Sequence, residues 1–300
     1  MYYHTLNEEM RRQFGRKVYK LALSGGMTCP NRDGTLDTRG CLFCSGAGEF
    51  AAVGPIDRQL EDARRRVAAK AKDALYIAYF QSFTNTYAPV EKLRQLFTQA
   101  MAPPEIAALS VATRPDCLGP EVLALLTELQ GQKPVWVELG LQTIHPATAR
   151  YIRRGYDLPV FDRAVAELKR AGITVIVHQI LGLPGETPEM MAATADYIAH
   201  SGADGVKFHL LHVLRGTDLA DEYAAGRFET MTMEAYIAVL GDCIRRLPPR
   251  MVIHRLTGDG DKRTLIAPLW SGDKKRVLNA IHAAFEQENL QQGSLYRENV

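Results

Sequence analysis

Three cysteines lie close together near the start of the chain, within the segment CPNRDGTLDTRGCLFC at residues 29–44. Thiolates from Cys29, Cys41 and Cys44 are soft ligands that suit a zinc ion or an iron–sulfur cluster. Gly34 and Gly40 allow the loop between them to fold back, so that all three thiols can reach one metal centre. The ordinary alternative is three small buried residues that happen to be neighbours. A loop so rich in Arg, Asp, Gly and Thr disfavours it.

The type of metal centre stays open on the residues alone. Structural zinc normally takes four closed ligands, and the other cysteines, Cys117 and Cys243, stand alone in the sequence. A zinc site would therefore need a histidine such as His178, His209 or His212. Three cysteines on a four-iron cluster would instead leave one iron open for a substrate or cofactor. We interpret Cys117 as an inert structural thiol rather than a hydrogen donor.

The cysteine loop resembles the cluster loop of radical S-adenosylmethionine (SAM) enzymes, whose usual pattern is C-x3-C-x-aromatic-C. Phe43 occupies the aromatic position, but eleven residues separate Cys29 from Cys41. That long gap is similar to the branch that contains the Elongator catalytic subunit and the bacterial YhcC/YtqA-type proteins. Phrases over roughly residues 15 to 290 resemble the latter group: GGMTCPNRDG, FQSFTNTYAP, TRPDCL, GLQTIHPATARYIRRGYD, ILGLPGET and HLLHVLRGT.

The resemblance implies a [4Fe-4S] cluster on Cys29, Cys41 and Cys44, with SAM bound to the open iron. One electron from the cluster would split the sulfonium of SAM and release a 5′-deoxyadenosyl radical. The resemblance also assigns SAM contacts, although an ordinary structural role stays open for several of them. These are Phe43 near the adenine, Gln142 near the ribose or methionyl part, Arg154 on the carboxylate, and His178 and Gly182 on the ribose and adenine side.

Two departures from the family pattern are expected to change the SAM contacts. Many relatives carry Gly-Gly-Glu after the second strand, where this chain has Gln81-Ser82-Phe83-Thr84-Asn85. Gln81 or Ser82 would then accept the hydrogen bonds of the SAM amino group. A glutamate at the end of the third strand in some relatives corresponds to Ala112, so that ribose contact is expected to be lost or moved.

Further polar residues lie within or at the ends of apolar segments. Glu138 alternates with buried residues, so we expect it to face the protein interior, where a carboxylate needs a partner such as the cofactor or substrate. Candidates for substrate contact at strand ends are Asn85, Tyr87, Arg114, Asp116, His209, His212 and Arg215.

The elements that must position these residues are short apolar runs separated by helical patterns. The predicted strands are Val18–Leu23, Ala74–Phe80, Ile106–Ala112, Val135–Leu141, Ile173–Leu181 and Gly205–Leu211. The predicted helices include Ile56–Ala71, Leu158–Ala171 and Thr187–Ser201. Such alternation predicts right-handed βαβ units with ligands at the carboxyl ends of the strands. We expect an open, partial (βα)6 TIM-like barrel of the radical SAM type, with a doubly wound sheet as the structural alternative.

The expected organisation has one barrel and two short additions. Residues 1–15 form an N-terminal extension, residues 16–246 the core barrel, and residues 247–300 a short C-terminal α/β extension packed on it. Within that extension, Met251–Leu256 is a candidate seventh strand and Lys275–Gln287 a final amphipathic helix.

Composition excludes several other classes of protein. The 300 residues include 36 basic and 34 acidic side chains and are 46% hydrophobic, which is typical of a globular fold rather than of disorder or collagen. We find neither a signal peptide nor an apolar stretch of about 18 residues. The odd number of five cysteines disfavours a disulfide framework. We therefore expect a cytoplasmic protein without a membrane segment.

Resemblance to the Elongator subunit implies tRNA as the substrate, with radical chemistry at the C5 side chain of the wobble uridine. The chain has no room for an acetyltransferase domain, so we expect trimming of a side chain already installed, and a reduced flavodoxin- or ferredoxin-type electron donor. Basic residues in stretches 11–20 and 58–72 are candidates for the phosphate track. The alternatives are a radical SAM enzyme for a small metabolite or tetrapyrrole, and a non-enzymatic zinc-binding module.

Overall fold

A curled sheet of seven parallel strands forms the centre of the protein. The computed structural model describes residues 2–45, 54–71, 73–258, 260 and 262–298. The strands are β1 (Val18–Leu23), β2 (Leu75–Phe80), β3 (Ile106–Thr113), β4 (Val135–Gln142), β5 (Thr174–Leu181), β6 (Gly205–Leu210), β7 (Val213–Leu214), β8 (Val252–Arg255) and β9 (Leu265–Ala267). The parallel sheet has the order β1-β2-β3-β4-β5-β6-β8, and β7 and β9 form a separate antiparallel pair.

Helices connect the strands and cover the outer face of the sheet. They are α1 (Leu6–Phe14), α2 (Ile56–Val67), α3 (Val90–Met101), α4 (Pro120–Gln130), α5 (Pro146–Tyr151), α6 (Leu158–Arg170), α7 (Pro188–His200), α8 (Asp218–Ala224), α9 (Met233–Arg246) and α10 (Lys274–Gln287). The six predicted strands all form, and the predicted helices agree within a few residues. Since the strands are buried on both faces, their near-continuous apolar sequences are those of a parallel α/β sheet.

The sheet is an open barrel with one strand more than the six predicted. The additional strand β8 comes from the candidate segment Met251–Leu256 and pairs with β6. Strands β1 and β8 are the two ends of the sheet order, so the described strands do not close into a ring. Helix α1 crosses this gap at the amino ends of the strands, where Thr5 bridges to Ile253 of β8. The C-terminal extension therefore contributes directly to the central sheet.

Side chains inside the curl form layers because successive residues of a strand point to opposite faces. The layer nearest the amino ends of the strands is apolar: Met10, Ile77, Ala108, Trp136 and Ile176. The next layer, toward the carboxyl ends, is polar: Lys20, Tyr79, Ser110, Glu138 and Lys207. The apolar layer closes one end of the barrel, and the polar layer forms the floor of a depression at the other.

A membrane-spanning helix requires a minimum length and hydropathy. In the described part of the chain, no helix is both long and apolar enough to cross a membrane.

Candidate active site

The cysteine loop follows β1 and covers the carboxyl end of the barrel. Cys29, Cys41 and Cys44 all line one cavity of about 200 Å³, which we call the cysteine cavity. The loop is held by Asn31, whose Nδ2 donates to the Arg153 carbonyl at 2.7 Å and to the Cys41 Sγ at 3.4 Å. The eleven residues between the first two cysteines thus fold back as the glycines predict, so that all three cysteines lie in the wall of the same cavity.

A second cavity of about 370 Å³ adjoins the first and lies over the polar layer. We call it the cationic cavity, because its wall contains Lys207, Arg255 and several histidines. The residues that line both cavities are Phe43, Cys44, Phe83, Ala112 and His178. Of the predicted site residues, Gln81 and Ser82 line the cationic cavity, and Glu138, Gln142 and Arg154 line the cysteine cavity.

The turn after β2 has a backbone that side chains rarely adopt. Ser82 has a φ of +75° and Phe83 a φ of +60°, in the left-handed region that favours glycine. The Ser82 Oγ and Thr84 Oγ1 are buried and have no hydrogen-bond partner among the described residues. This turn occupies the place where many relatives carry Gly-Gly-Glu, so the glycine-like backbone persists without the glycines. A strained turn with two unpartnered hydroxyls makes this segment a candidate ligand-binding element.

Gln142 and Arg154 form the far wall of the cysteine cavity. Gln142, with a φ of +63°, ends β4 and folds its amide back over the carbonyls of Gly140 and Leu141. The Arg154 guanidinium donates to three main-chain carbonyls: Leu141 at 3.1 Å, Thr143 at 2.6 Å and Tyr156 at 3.1 Å. Burial lowers the pKa of Arg154 from its ordinary value. Only its Nη2 has no hydrogen-bond partner among the described residues, so any contact with a SAM carboxylate must use that atom.

Glu138 faces the interior as predicted, but its partners are protein side chains rather than a cofactor. Its Oε1 accepts from Lys20 at 2.5 Å and Ser110 at 2.9 Å. Its Oε2 accepts from His178 at 2.7 Å and Lys207 at 2.5 Å. Burial alone would raise the pKa of Glu138, but the two lysines hold it well below its usual range.

Sequence analysis missed Lys20 and Lys207, the cations that satisfy Glu138. Each is a single lysine inside an otherwise apolar strand, VYKLAL for β1 and GVKFHL for β6. A lysine in a buried strand needs a carboxylate partner. The two lysines could therefore have been recognised in the sequence as needing a carboxylate. The strand register that brings β1, β4 and β6 together at Glu138 could not.

Two other predicted contacts differ in their position. His178 lies on the shared wall, where burial lowers its pKa to about 4 and its ring packs 4.9 Å from that of His209. Gly182, with a φ of +87°, lies outside the lining of both cavities, and a Cβ there would meet Met231. Its role in approaching adenine stays a prediction.

Comparison with known proteins identifies the family. The radical SAM superfamily profile matches residues 38–198, and that of the radical SAM C-terminal domain matches residues 203–287. The chain is 44% identical over 299 residues to protein YtqA of Bacillus subtilis, which covers 98% of this chain and 93% of that protein. The chain belongs to the radical SAM superfamily.

Two further comparisons relate this radical SAM protein to Elongator-type enzymes. It is 27% identical over 155 residues to a tRNA uridine(34) acetyltransferase of Methanocaldococcus jannaschii, covering 51% of this chain and 28% of that protein. The structure of the archaeal Methanocaldococcus infernus Elp3 superposes with a TM-score of 0.70 at 18% identity, covering 92% of this chain and 64% of that chain. The second match shows a common fold and confirms the predicted TIM-like barrel.

Members of the superfamily bind a [4Fe-4S] cluster and SAM, and the residues of this radical SAM protein fit both. Burial raises the pKa of Cys41 to about 11, so a thiolate there needs the positive charge of a metal centre. No three histidine, cysteine or acidic side chains in the described ranges converge closely enough to hold one ion. Separate irons of a cluster can meet separate thiolates, whereas zinc needs its ligands about 2.3 Å away. The unpartnered hydroxyls of Ser82 and Thr84 suit a polar ligand such as SAM.

The remaining cysteines do not join the site. Cys243 is fully buried, with its Sγ 3.8 Å from the Met191 carbonyl. Burial raises the pKa of Cys117 to about 12, which keeps that thiol protonated. Neither lines the cysteine cavity or the cationic cavity. Both fit the inert structural role predicted for Cys117.

Much of the basic stretches lies at the opposite end of the barrel from both cavities, but Arg58 is next to Gln59, whose side-chain amide hydrogen-bonds to Ser24 at the carboxyl end of β1. Arg16 pairs with Asp73 just before β2, and Arg64 pairs with Glu105 just before β3. Lys20 is turned into the barrel interior, and Lys72 lies outside the described residues. The role of stretches 11–20 and 58–72 in leading a phosphate backbone to the site stays a prediction.

Proposed function

We propose that this radical SAM enzyme modifies the C5 side chain of the wobble uridine of tRNA, for example by trimming a carboxymethylaminomethyl group. The observation that carries the proposal is the two-cavity site. A cofactor cavity lined by three cysteines shares a wall with a cavity large enough for a nucleobase and a short side chain. The likeness to a protein named tRNA uridine(34) acetyltransferase supports uridine as the base.

In this proposal Cys29, Cys41 and Cys44 hold the cluster, and the cysteine cavity receives SAM. Thr84, which lines this cavity, and Ser82, which lines the adjoining cationic cavity on the same turn, accept from its amino group through their unpartnered hydroxyls, and Arg154 meets its carboxylate with Nη2. When bound and reduced by a flavodoxin- or ferredoxin-type donor, the cluster and SAM supply a carbon radical that abstracts hydrogen. Phe43 and Phe83 are the apolar part of the shared wall and help to exclude water from that reaction.

A uridine must leave the base stack of the RNA to reach the depression at the carboxyl end of the barrel, as in other enzymes that act on a base. The open carboxyl end of the barrel leaves room for a flipped nucleotide, while its amino end is closed by α1 and the apolar layer. The substrate therefore has to enter from the side of the cysteine loop.

Comparison of modified nucleosides tests the function directly. Bulk tRNA from cells with and without the gene is digested, and the wobble nucleosides are measured by mass spectrometry. We expect an unprocessed C5 side chain to accumulate in the deletion and to be converted when that tRNA is incubated with reduced enzyme and SAM. Unchanged nucleosides in both arms would contradict the proposal and leave a small metabolite or tetrapyrrole as the substrate class.

A further inference from the structure

The described wall of the cationic cavity carries positive charge and no carboxylate. Its charged and ionisable members are Lys207, Arg255, His178, His209, His212 and Tyr79. They lie on neighbouring strands at the carboxyl end of the barrel, next to Cys44. A low-dielectric cavity with one sign of charge concentrates ligands of the opposite sign.

The buried charges beneath this cavity do not balance. Lys20 and Lys207 both bind Glu138 at 2.5 Å, so one carboxylate serves two ammonium groups. Lys207 also donates a hydrogen bond to the Tyr79 hydroxyl at 3.1 Å. Its third N–H therefore has no acceptor within the described ranges. Burial, reinforced by the second lysine, lowers the pKa of Lys207 to about 7, although Glu138 acts in the opposite direction.

His209 adds a second unmet group in the same wall. Its Nε2 is buried and has no hydrogen-bond partner among the described residues. A buried polar atom without a partner costs free energy that the fold does not recover. Lys207 and His209 are two residues apart on β6, so both point into the curl of the sheet. An oxygen ligand between them would satisfy both.

We propose that the cationic cavity binds a carboxylate of the substrate, and that Lys207 and His209 select it. The proposal rests on the proposed function, in which this carboxylate terminates the C5 side chain of the uridine. The carboxylate of a small metabolite has the same chemistry, and the experiment below separates the two sources. The SAM carboxylate is assigned to the other cavity, beside Arg154.

The shared wall explains why such a subsite would help the reaction. Phe43, Cys44 and His178 border both cavities, so a carboxylate held by Lys207 lies across that wall from the cofactor. Anchoring one end of a flexible side chain orients the carbon next to the wall. Lys207 and His209 are thus specificity-determining residues, whereas the three cysteines hold the cluster that supplies the chemistry.

The test uses the holoenzyme with reconstituted cluster, saturating SAM and no reductant, so that binding is measured without turnover. Two anticodon-loop RNA hairpins differ only in the wobble side chain, which is carboxymethylaminomethyl or its uncharged carboxamide analogue. We expect the wild type to prefer the carboxylate hairpin about tenfold, the effect of one charge-assisted hydrogen bond. Lys207→Met and His209→Leu should reduce this preference below about threefold and leave the carboxamide hairpin unchanged.

Two controls separate selection from misfolding. His209→Leu removes a polar atom that has no partner, so its thermal stability should equal or exceed that of the wild type. Lys207→Arg keeps the charge and should restore most of the preference lost in Lys207→Met.

The pH dependence supplies a readout that a purely structural role would not move. Lys207 faces Glu138, Lys20, Tyr79, His178, His209, His254 and Arg255. The pKa of His178 is lowered to about 4, mainly by burial, and those of His209 and His254 also lie well below the ordinary value. These histidines stay neutral near pH 7, whereas Lys207 loses its proton above it. The carboxylate preference should therefore fall as the pH rises from 7 to 9 and be absent in Lys207→Met.

Each outcome decides the proposal. Equal binding of both hairpins by wild type and variants would overturn the carboxylate subsite and leave tRNA as the substrate. If neither hairpin binds, acetate is titrated while the His209 ring is observed by NMR. A shift in the wild type that is lost in Lys207→Met would support the subsite and overturn the RNA substrate. No shift would overturn the subsite as well.

Discussion

The two ends of the barrel differ in backbone strain and in how completely their polar groups are paired. At the amino ends of the strands, α1 begins with a capping box of Thr5 and Glu8 and buries Met10 against Trp136. Asp204 binds Lys169 there and accepts the Val175 amide. At the carboxyl ends, strained turns and unpartnered hydroxyls surround two cavities. The capping and ion-pair interactions at the closed end stabilise the fold, whereas the hydroxyls of Ser82 and Thr84 at the open end have no partner among the described residues.

Backbone strain follows the same division. Among the described residues, six non-glycine residues have a positive φ, and four of them surround the open end: Ser82, Phe83, Gln142 and Arg153. Of the buried unpartnered atoms, Ser82 Oγ, Thr84 Oγ1 and His209 Nε2 are also there, whereas His254 Nδ1 near the closed end and Gln179 Oε1 on the face against α7 are exceptions. Strain held in a stable scaffold is a mark of function. Here it favours the same end as the cysteines, on a separate observation.

The two ends of the barrel also differ in how their positive charges are placed. Much of the basic stretches 11–20 and 58–72 flanks the closed end, where several of their arginines pair with neighbouring acids. The open end places cations inside a cavity. A count of basic residues along the chain does not by itself locate a binding site, because the strength of a site depends on burial and pairing more than on local density.

The largest expected effect comes from the cysteine loop. Cys41→Ala should reduce the iron of anaerobically reconstituted protein from about four per chain to near zero and abolish conversion of SAM to 5′-deoxyadenosine. Cys243→Ala is the matched control, since its thiol is buried away from both cavities. It should keep both properties. Full iron content in Cys41→Ala would place the cluster elsewhere and remove the basis for distinguishing the two ends.

Much of the fold could be predicted from the sequence. Parallel strands read as continuous apolar runs, and Gly172 and Gly202 mark the places where helices α6 and α7 give way to strands. Because β strands and helices alternate, the open end could be identified as the carboxyl ends of the strands before any coordinates. Only the recruitment of β8 into the main sheet was left as a candidate.

The site could be predicted only in part, because side-chain pairing depends on register across the sheet. Glu138 could be assigned to the interior by alternation along β4, but its two lysine partners lie on β1 and β6, more than sixty residues away in either direction. Arg154 could be assigned to the site by resemblance, but not the three carbonyls that take up most of its guanidinium. These contacts join residues that are far apart in the sequence, so they cannot be inferred from the order of the residues.

Exchange of single charges tests whether tRNA meets the open end. Arg215 is exposed beside Leu214, which lines the cationic cavity, and Arg66 is exposed on α2 near the closed end. Arg215→Glu should weaken tRNA binding several-fold and lower the salt slope by about one, as the loss of one phosphate contact requires. Arg66→Glu should change neither quantity. Equal losses in the two variants would mean that RNA follows the whole barrel, and the contrast between the ends would no longer apply to the substrate.

The smallest expected effect separates strain from ligand binding at single residues. Ser82→Gly relieves a positive φ and should raise the free energy of unfolding by about 1 kcal/mol, since the relief exceeds the entropy that glycine adds to the unfolded chain. Asp73→Gly makes the same change at the closed end, with a smaller gain because aspartate tolerates this conformation better and because the variant loses the exposed ion pair with Arg16. Of these two glycine variants, only Ser82→Gly should weaken SAM binding, because it also removes the unpartnered hydroxyl. Ser82→Ala keeps the strain and loses the hydroxyl, so it should weaken SAM binding equally without the gain in stability. Normal SAM affinity in both Ser82 variants would show that the strain at the open end does not position this hydroxyl for the cofactor.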